Sequence, residues 1–259
     1  MKACFYILVV LIFCGCANET QDSGSEIKNQ KRSSWPTFEN KVDHKSNTFQ
    51  AHSQKDTGEL EKRLVANGLV NIQTVVPGIH TDLRYSTTAN FMKMDLYGDL
   101  ERVYVQPEIA QKLKKAQEYL QEADSSLSLL IFDCVRPLSV QKAMWDTVKM
   151  PTWKKIKFLS NPAFGSVHNY GAAVDLSLCT LDGEELDMGT AYDDTASLAY
   201  PILEAQFLKT GKLTAQQVKN RQLLRSVMYR AGFFGIQTEW WHFNAMTREV
   251  AAARYKIIN

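Results

Sequence analysis

Cysteine is scarce in the part of the chain that could form a folded domain. Cys4, Cys14 and Cys16 lie close to the N-terminus, which leaves only Cys134 and Cys179 in the rest of the 259 residues. Two cysteines cannot build the framework of several disulfides that holds small secreted domains together. They are compatible with one bridge in an oxidising compartment or with two buried free thiols.

A strong excess of one charge sign is also missing. The 30 Lys and Arg residues nearly balance the 28 Asp and Glu residues, so the formal net charge is only +2. Binding to DNA or RNA requires basic residues concentrated on one face of the protein. We therefore expect no nucleic-acid partner.

The N-terminal apolar run, residues 5–13, is too short to span a bilayer as a helix. Lys2 before the run and Gly15-Cys16 after it are typical of a secretory leader. The end of this leader resembles a bacterial lipobox, in which the Cys is acylated, although Phe13 and Cys14 depart from the strict pattern; an ordinary cleaved leader is the alternative. We predict a lipoprotein-type signal over residues 1–16, a lipid anchor on Cys16, and a location in the bacterial cell envelope, periplasmic or outer-membrane-associated.

The chain then changes composition twice. Residues 17–59 are rich in Ser, Asn, Gln, Lys and Asp and have no sustained apolar period, which predicts a flexible tether. Regular apolar content begins near Leu60, and 45% apolar residues in a chain of this length suffice for one well-buried domain. We predict a single folded domain over residues 60–259.

Hydrophobic spacing predicts the main elements of this domain. Pro107 stands at the first position of an amphipathic helix. Residues 127–132 form an apolar run of strand length that ends at Asp133, and residues 172–178 alternate as a strand with Asp175 on its polar face.

The C-terminal half contributes further elements. Ser139 is placed to cap a helix that ends near residue 149, and a capping box from Thr214 with Gly232 bounds another helix. Residues 233–243 read as a final strand. Because helices and strands do not alternate as βαβ units, we predict an α+β fold: a single compact domain with a central, mainly antiparallel sheet flanked by helices.

Few histidines are available for a metal site. A hydrolytic zinc site needs about three His, Asp, Glu or Cys ligands, an open position for water and a nearby base. Two of the five histidines lie in the predicted tether, and His80 has only Asp82 as an acidic neighbour at ligand spacing. This leaves His168 and His242.

His168 and Asp175 are seven residues apart, so one continuous strand would put them on opposite faces. A turn at Asn169-Tyr170-Gly171 would let both side chains reach one ion, because Asn and Gly tolerate positive φ. Taken alone, a histidine such as His168 beside an aromatic residue is more often a satisfied core or interface histidine, and Asp175 could be a turn or capping residue.

Glu239 and His242 can face the same side only if the chain turns between them. Such a turn would place the carboxylate beside the metal-binding imidazole. Trp240 and Trp241 would then wall the site and lower its local dielectric, although adjacent tryptophans more often serve packing alone.

These segments resemble the zinc D-alanyl-D-alanine dipeptidases, within the larger group of zinc D,D-carboxypeptidases. The family pattern Ser-x-His-x-x-Gly-x-Ala-x-Asp is matched by Ser166, His168, Gly171, Ala173 and Asp175. The similarity extends over about residues 74–243 and includes the stretches 82–91, 133–137, 188–193 and 220–233.

The resemblance implies a role for each of the residues singled out above. It makes His168, Asp175 and His242 the ligands of one Zn²⁺ per chain and Glu239 the catalytic carboxylate. It also makes residues 60–259 a zinc peptidase catalytic domain.

Arg136 receives the role of cationic transition-state stabiliser by the same resemblance. At the end of a buried strand and fixed by Pro137, a guanidinium could donate to the oxyanion of a tetrahedral intermediate. A surface ion pair is the alternative. The chain departs from the family at Cys134-Val135, where members often have Gly-Tyr.

The resemblance also implies substrate-binding residues. Asp193 is similar to the residue that receives the substrate ammonium, with a solvated turn as its alternative and Asp194 as its replacement if the alignment shifts by one. Tyr85, Tyr97 and Ser166 resemble pocket-lining positions, although each could be an ordinary core or turn residue.

The resemblance implies a zinc metallopeptidase that hydrolyses the small D,D-dipeptide D-Ala-D-Ala. Metal-activated water would attack the peptide with a Glu as general base. The alternatives are a D,D-carboxypeptidase or another cell-wall peptidase of the same group that acts on longer muropeptides, and a non-catalytic zinc-binding surface lipoprotein.

Overall fold

The computed structural model describes residues 58–156 and 158–259. The predicted signal segment, the lipidation at Cys16 and nearly all of the tether lie outside the described residues and stay predictions. The first helix begins at Glu59, one residue before the predicted start of the folded domain. Within these two ranges no helix combines the length and the apolar character needed to cross a membrane.

The N-terminal elements are short and lead to one long helix. They are α1 (Glu59–Ala66), β1 (Val70–Asn71), α2 (Ile72–Val75), β2 (His80–Thr81), a 3-10 turn (Arg84–Ser86), β3 (Tyr104–Val105) and α3 (Pro107–Ala123). β1 and β3 pair antiparallel in a small separate sheet. Pro107 stands in the first turn of α3, and the apolar stripe of the helix is fully buried, as predicted.

The middle of the chain supplies the two central strands. The elements are β4 (Leu127–Asp133), α4 (Leu138–Thr147), α5 (Thr152–Lys155), a 3-10 turn (Val167–Tyr170) and β5 (Ala173–Thr180). The predicted cap at Ser139 is wrong, because Pro137 is the N-cap residue of α4 and no side chain caps this helix. Cys134 and Cys179 are both buried free thiols.

The C-terminal elements follow two 3-10 turns, Ser197–Ala199 and Pro201–Leu203. They are α6 (Glu204–Lys209), α7 (Ala215–Arg230), β6 (Phe234–Gly235), β7 (His242–Asn244) and α8 (Arg248–Arg254). The predicted capping box at the start of α7 is confirmed, and Gly232 beyond its end has φ +84°. The single strand predicted over 233–243 is instead two short antiparallel strands joined by an irregular segment.

The main sheet has the strand order β2-β4-β5-β7-β6. Only the β2–β4 pair is parallel, so the sheet is mainly antiparallel and the predicted α+β class is confirmed. Every residue of β4 is buried, as are all residues of β5 except the last, because α3 packs on β4 and α7 on both α3 and β5. The polar face predicted for β5 is therefore enclosed by protein.

Candidate metal centre and active site

The sheet register brings two of the candidate side chains, Asp175 and His242, together with Asp133. Asp133 lies opposite Asp175, and Asp175 lies opposite His242, on the neighbouring strands β4, β5 and β7. Residues directly opposite each other in antiparallel strands have Cβ atoms about 4.5–5.5 Å apart. A ligand pair 67 residues apart in sequence is therefore adjacent because of strand pairing.

His168 reaches the same place through the predicted turn, a 3-10 helix that ends in Gly171 at φ +65°. Ser166 caps this turn, since its Oγ accepts from the His168 N–H at 3.3 Å while Asn169 Oδ1 accepts from the Ser166 N–H at 2.6 Å. A side chain at Gly171 would meet Leu69 Cδ2 at 3.0 Å. Glycine is needed here both for the positive φ and for the close packing.

Three ligand atoms converge at the end of these elements. His168 Nε2 lies 3.2 Å from His242 Nδ1 and 3.4 Å from Asp175 Oδ1, and the last two atoms are 2.9 Å apart. Ligands about 2.0–2.1 Å from a tetrahedral ion of zinc size lie about 3.3 Å from one another. Among the described residues this is the one group of three or more His, Cys, Asp or Glu side chains that converges in this way.

Hydrogen bonds orient both imidazoles toward the centre of this group. His168 Nδ1 lies 2.6 Å from the Cys134 carbonyl oxygen, and His242 Nε2 lies 3.1 Å from Asn244 Oδ1. Both oxygens can only accept, so these ring nitrogens carry the protons. The lone pairs of His168 Nε2 and His242 Nδ1 remain free for a metal ion.

Asp175 is held as an anion. Burial alone would raise the pKa of its carboxyl, but the imidazoles of His168 and His242 hold that pKa well below its ordinary value. Its second oxygen accepts from the Tyr192 hydroxyl at 3.1 Å and lies 3.6 Å from Arg136 Nη2. One oxygen therefore faces the metal site while the other is fixed by protein groups.

Glu239 lies in the segment between β6 and β7, with Oε2 4.0 Å from His242 Nδ1. The turn predicted between these two residues is therefore present. Burial raises the pKa of the Glu239 carboxyl to about 8; the carboxylates of Asp175 and Asp193 add to the rise and His242 opposes it. A carboxyl that titrates near neutral pH beside a metal site is suited to carry protons.

The two tryptophans after Glu239 have different positions. Trp241 borders the cavity above the ligands. Trp240 points away from it, and its Nε1–H donates to Thr190 Oγ1 at 2.8 Å. Of the two tryptophans predicted to wall the site, only Trp241 does so, and Trp240 packs behind it.

Arg136 is buried beside the ligands, which excludes the alternative of a surface ion pair. Its Nε and Nη2 groups donate to Asp133 Oδ2 at 3.0 and 2.6 Å, and Nη1 donates to Gln141 Oε1 at 3.3 Å. The guanidinium carbon lies 5.1 Å from the ring centroid of Tyr85. Burial would lower the pKa of Arg136, but Asp133 and nearby tyrosines keep it above its ordinary value.

Asp193 borders the cavity in a left-handed backbone conformation, φ +63°. The Tyr85 hydroxyl lies 3.1 and 3.0 Å from its two carboxylate oxygens. Burial, assisted by Asp175, raises the pKa of Asp193 to about 7. Asp194, the alternative candidate, accepts from the Ala196 N–H at 2.8 Å in a local turn and lies outside the cavity that holds the ligands.

The candidate residues share a cavity of about 370 Å³. Its lining includes the three ligands together with Glu239, Arg136, Asp193, Ser166, Tyr85 and Trp241. Tyr97 is not part of this lining: its buried hydroxyl donates to Asp133 Oδ1 at 2.6 Å, one layer behind the cavity.

Four residues of the site were not predicted from the sequence. Asp133, Tyr192 and Asn244 hold the ligands or Arg136. Arg248 borders the cavity, where its Nη1 donates to the Phe164 carbonyl at 3.3 Å and its Nη2 to Oε1 of the exposed Glu249 at 3.4 Å. A signal existed for Asn244, which stands two residues after His242 and thus on the same strand face. It also existed for Asp133, three residues before Arg136 at the strand end.

Comparisons with known proteins show which family this chain resembles. The peptidase M15 family model, described as D-ala-D-ala dipeptidase, matches residues 65–258. The chain is similar to the D-alanyl-D-alanine dipeptidase of Escherichia coli (strain K12), with 29% identity over 175 residues that cover 68% of this chain and 83% of the relative. The protein of the same description in Enterococcus faecium is 27% identical over 191 residues, which cover 68% of this chain and 90% of that relative. The one in Streptomyces coelicolor is 29% identical over 187 residues, which cover 66% of this chain and 88% of that relative.

Proposed function

The chain belongs to the peptidase M15 family of D-ala-D-ala dipeptidases, and from this premise we propose that it hydrolyses D-Ala-D-Ala with one Zn²⁺ and with Glu239 as general base. The observation that carries the proposal is the convergence of His168 Nε2, Asp175 Oδ1 and His242 Nδ1 at 2.9–3.4 Å from one another, beside the Glu239 carboxyl. Two imidazoles and one carboxylate are a donor set of the kind found in catalytic zinc sites.

Zn²⁺ held by these three residues would lower the pKa of water and polarise the scissile carbonyl. Glu239 takes a proton from the attacking water and delivers it to the leaving amine. Its raised pKa supports both steps, because a carboxyl with a pKa of about 8 can both accept and release a proton near neutral pH at a small cost in free energy.

Arg136 stabilises the oxyanion of the tetrahedral intermediate. Asp133 anchors its guanidinium through two hydrogen bonds to one oxygen, so the group is oriented before substrate arrives. Preorganisation of this kind avoids the cost of reorienting a flexible cation during the reaction.

The two ends of a free dipeptide carry opposite charges, and the cavity lining contains both acidic and basic side chains. Asp193 receives the substrate ammonium. Arg248, which lines the same cavity, supplies a cation for the substrate carboxylate. The cavity volume is near the lower end of the roughly 300–1,000 Å³ typical of ligand sites, which favours a small substrate.

The test compares three peptides on one preparation whose zinc content is measured: D-Ala-D-Ala, N-acetyl-D-Ala-D-Ala, and a pentapeptide that ends in D-Ala-D-Ala. We expect one zinc per chain and a kcat/KM at least about tenfold higher for the free dipeptide, because only it offers an ammonium to Asp193. A preference for the pentapeptide would identify a D,D-carboxypeptidase. Stoichiometric zinc without turnover of any peptide would identify a non-catalytic zinc-binding protein.

A further inference from the structure

Arg221 on α7 is the largest of the fully buried side chains, with 1% of its surface exposed. Its guanidinium donates from Nε to the Met188 carbonyl at 2.6 Å and from Nη1 to the Leu198 carbonyl at 3.0 Å, and Nη2 lies 3.5 Å from Thr190 Oγ1. All three acceptors belong to residues 188–198, which we name the Asp193 segment. A buried cation is thus used to hold the segment that carries Asp193.

The same side chain also contacts the segment that carries Glu239. The Arg221 guanidinium carbon lies 5.7 Å from the ring centroid of Trp240, the residue directly after Glu239. Thr190 Oγ1 accepts from Trp240 Nε1 at 2.8 Å. Arg221, Thr190 and Trp240 therefore form one contact between the two segments that present the cavity carboxyls.

Charge pairing alone does not account for Arg221. Glu204, the nearby buried carboxylate, is bound by Arg225 through two hydrogen bonds of 3.1 and 2.7 Å, whereas Arg221 Nη1 lies 3.8 Å from it. The close contacts of Arg221 are instead with backbone carbonyls. They use the planar, forked geometry of a guanidinium, which lysine lacks.

The Asp193 segment needs such support because little regular structure holds it. Between β5 and the 3-10 turn Ser197–Ala199 the chain has no helix or named strand. Asp193 itself has φ +63°, a conformation that costs free energy for any residue with a side chain and persists only where surrounding contacts enforce it.

We propose that Arg221 is a positioning residue for recognition of the substrate ammonium: it holds the Asp193 segment against the Glu239 segment and so sets the preference for peptides with a free amino end. The inference rests on the proposed function, specifically on the role of Asp193. It assigns Arg221 no contact with substrate.

The test measures an amine preference, defined as kcat/KM for D-Ala-D-Ala divided by kcat/KM for N-acetyl-D-Ala-D-Ala. For Arg221→Lys we expect this ratio to fall on the order of tenfold, mainly through a higher KM for the free dipeptide, because a displacement of about 1 Å at a binding group has effects of this size or larger. Zinc content should be unchanged. The matched control is Arg225→Lys, four residues away on the same helix, which should leave the ratio within about twofold.

Asp193→Asn and the double variant with Arg221→Lys complete the experiment. If Arg221 acts through Asp193, the double variant should have the same ratio as Asp193→Asn alone. Should Arg221→Lys fold poorly, Thr190→Val removes the shared hydroxyl with little change of volume and should lower the ratio several-fold.

The outcomes distinguish the role of Arg221 from the ammonium site at Asp193. An unchanged ratio in Arg221→Lys or Thr190→Val, with a lowered ratio in Asp193→Asn, overturns the role of Arg221 and leaves the ammonium site intact. A ratio that Arg225→Lys lowers equally also overturns it. An unchanged ratio in Asp193→Asn refutes the ammonium site and the inference with it.

Discussion

Three carboxyls border one cavity, but the two regions that present them differ in construction and in charge state. Asp175 comes from a buried, paired strand, and neighbouring imidazoles hold its pKa well below the ordinary value. Glu239 and Asp193 come from irregular segments, and burial raises their pKa values to about 8 and about 7.

Because of this difference, the charge of Asp175 is permanent, whereas Glu239 and Asp193 can gain and lose a proton. In the strand-held region Asp175 has partners inside the protein on both carboxylate oxygens, so it stays ionised whether or not substrate is present. In the region held by irregular segments the carboxyls are desolvated and close to other carboxylates, so a proton or a cationic substrate group stabilises them. The first region is suited to hold a metal ion and the second to bind and move protons and ammonium groups.

The largest effect is expected from the strand-held region. Asp175→Asn replaces an anionic ligand by a neutral amide and leaves the two imidazoles with a weaker third donor. We expect zinc content to fall below stoichiometric and kcat/KM to drop on the order of 10⁴-fold. Metal analysis after dialysis, together with turnover of D-Ala-D-Ala, checks this; full zinc content with normal turnover would remove Asp175 from the ligand set.

Arg136→Lys is expected to lower kcat/KM about 10²- to 10³-fold. The loss should lie mostly in kcat, because an oxyanion exists only after attack on the carbonyl. Lysine keeps the charge but cannot reproduce the paired contacts with Asp133 Oδ2. Zinc content serves as the control and should not change. A loss confined to KM would indicate that Arg136 binds ground-state substrate instead.

The raised pKa values of Asp193 and Glu239 predict that kcat/KM falls steeply on the acid side of its pH profile. The proposed mechanism needs both carboxyls ionised, and a raised pKa means that the neutral form dominates below about pH 7–8. The logarithm of kcat/KM should therefore fall with a slope near two as pH decreases. Asp193→Asn should lower kcat/KM about 10- to 100-fold at high pH and reduce that slope to one; an unchanged slope would show that Asp193 does not titrate in the working range.

The smallest effects are expected at Tyr85 and Tyr97, for which the sequence predicts the same role, that of lining the pocket. Tyr97→Phe removes a buried hydrogen bond to Asp133 and should lower the free energy of unfolding by about 1.5–3 kcal/mol with little change in KM. Tyr85→Phe removes the hydroxyl bound to Asp193 and should raise KM a few-fold. Denaturant unfolding and steady-state kinetics on both variants check this, and an equal rise of KM in both would place Tyr97 in the cavity.

Local pattern was enough to predict much of the fold and the ligand set. The stripe of α3, the capping box at Thr214 and the turn at Gly171 follow from residue spacing and backbone preference, and the structure has all three. The convergence of His168, Asp175 and His242 was also expected, because a recognisable motif surrounds each ligand.

What escaped prediction depends on long-range pairing. The register that sets Asp133 beside Asp175 pairs two residues that are 42 positions apart in the sequence, and it has no local signature. Adjacent Trp240 and Trp241 look equivalent in sequence, yet only the backbone path after β6 decides which one faces the cavity. Tyr97 stands behind the cavity for the same reason, since its hydrogen bond to Asp133 joins residues 36 positions apart in the sequence.

The most direct test of the account is Glu239→Gln, measured for zinc content and for turnover of D-Ala-D-Ala on the same preparation. Glu239 is not among the converging ligands, so the variant should keep one zinc per chain while kcat falls about 10²- to 10⁴-fold, the range expected for loss of a general base. Turnover close to that of the unmodified protein would contradict the assignment of Glu239 as the base. Loss of zinc would contradict the separation between the ligand region and the proton-carrying region.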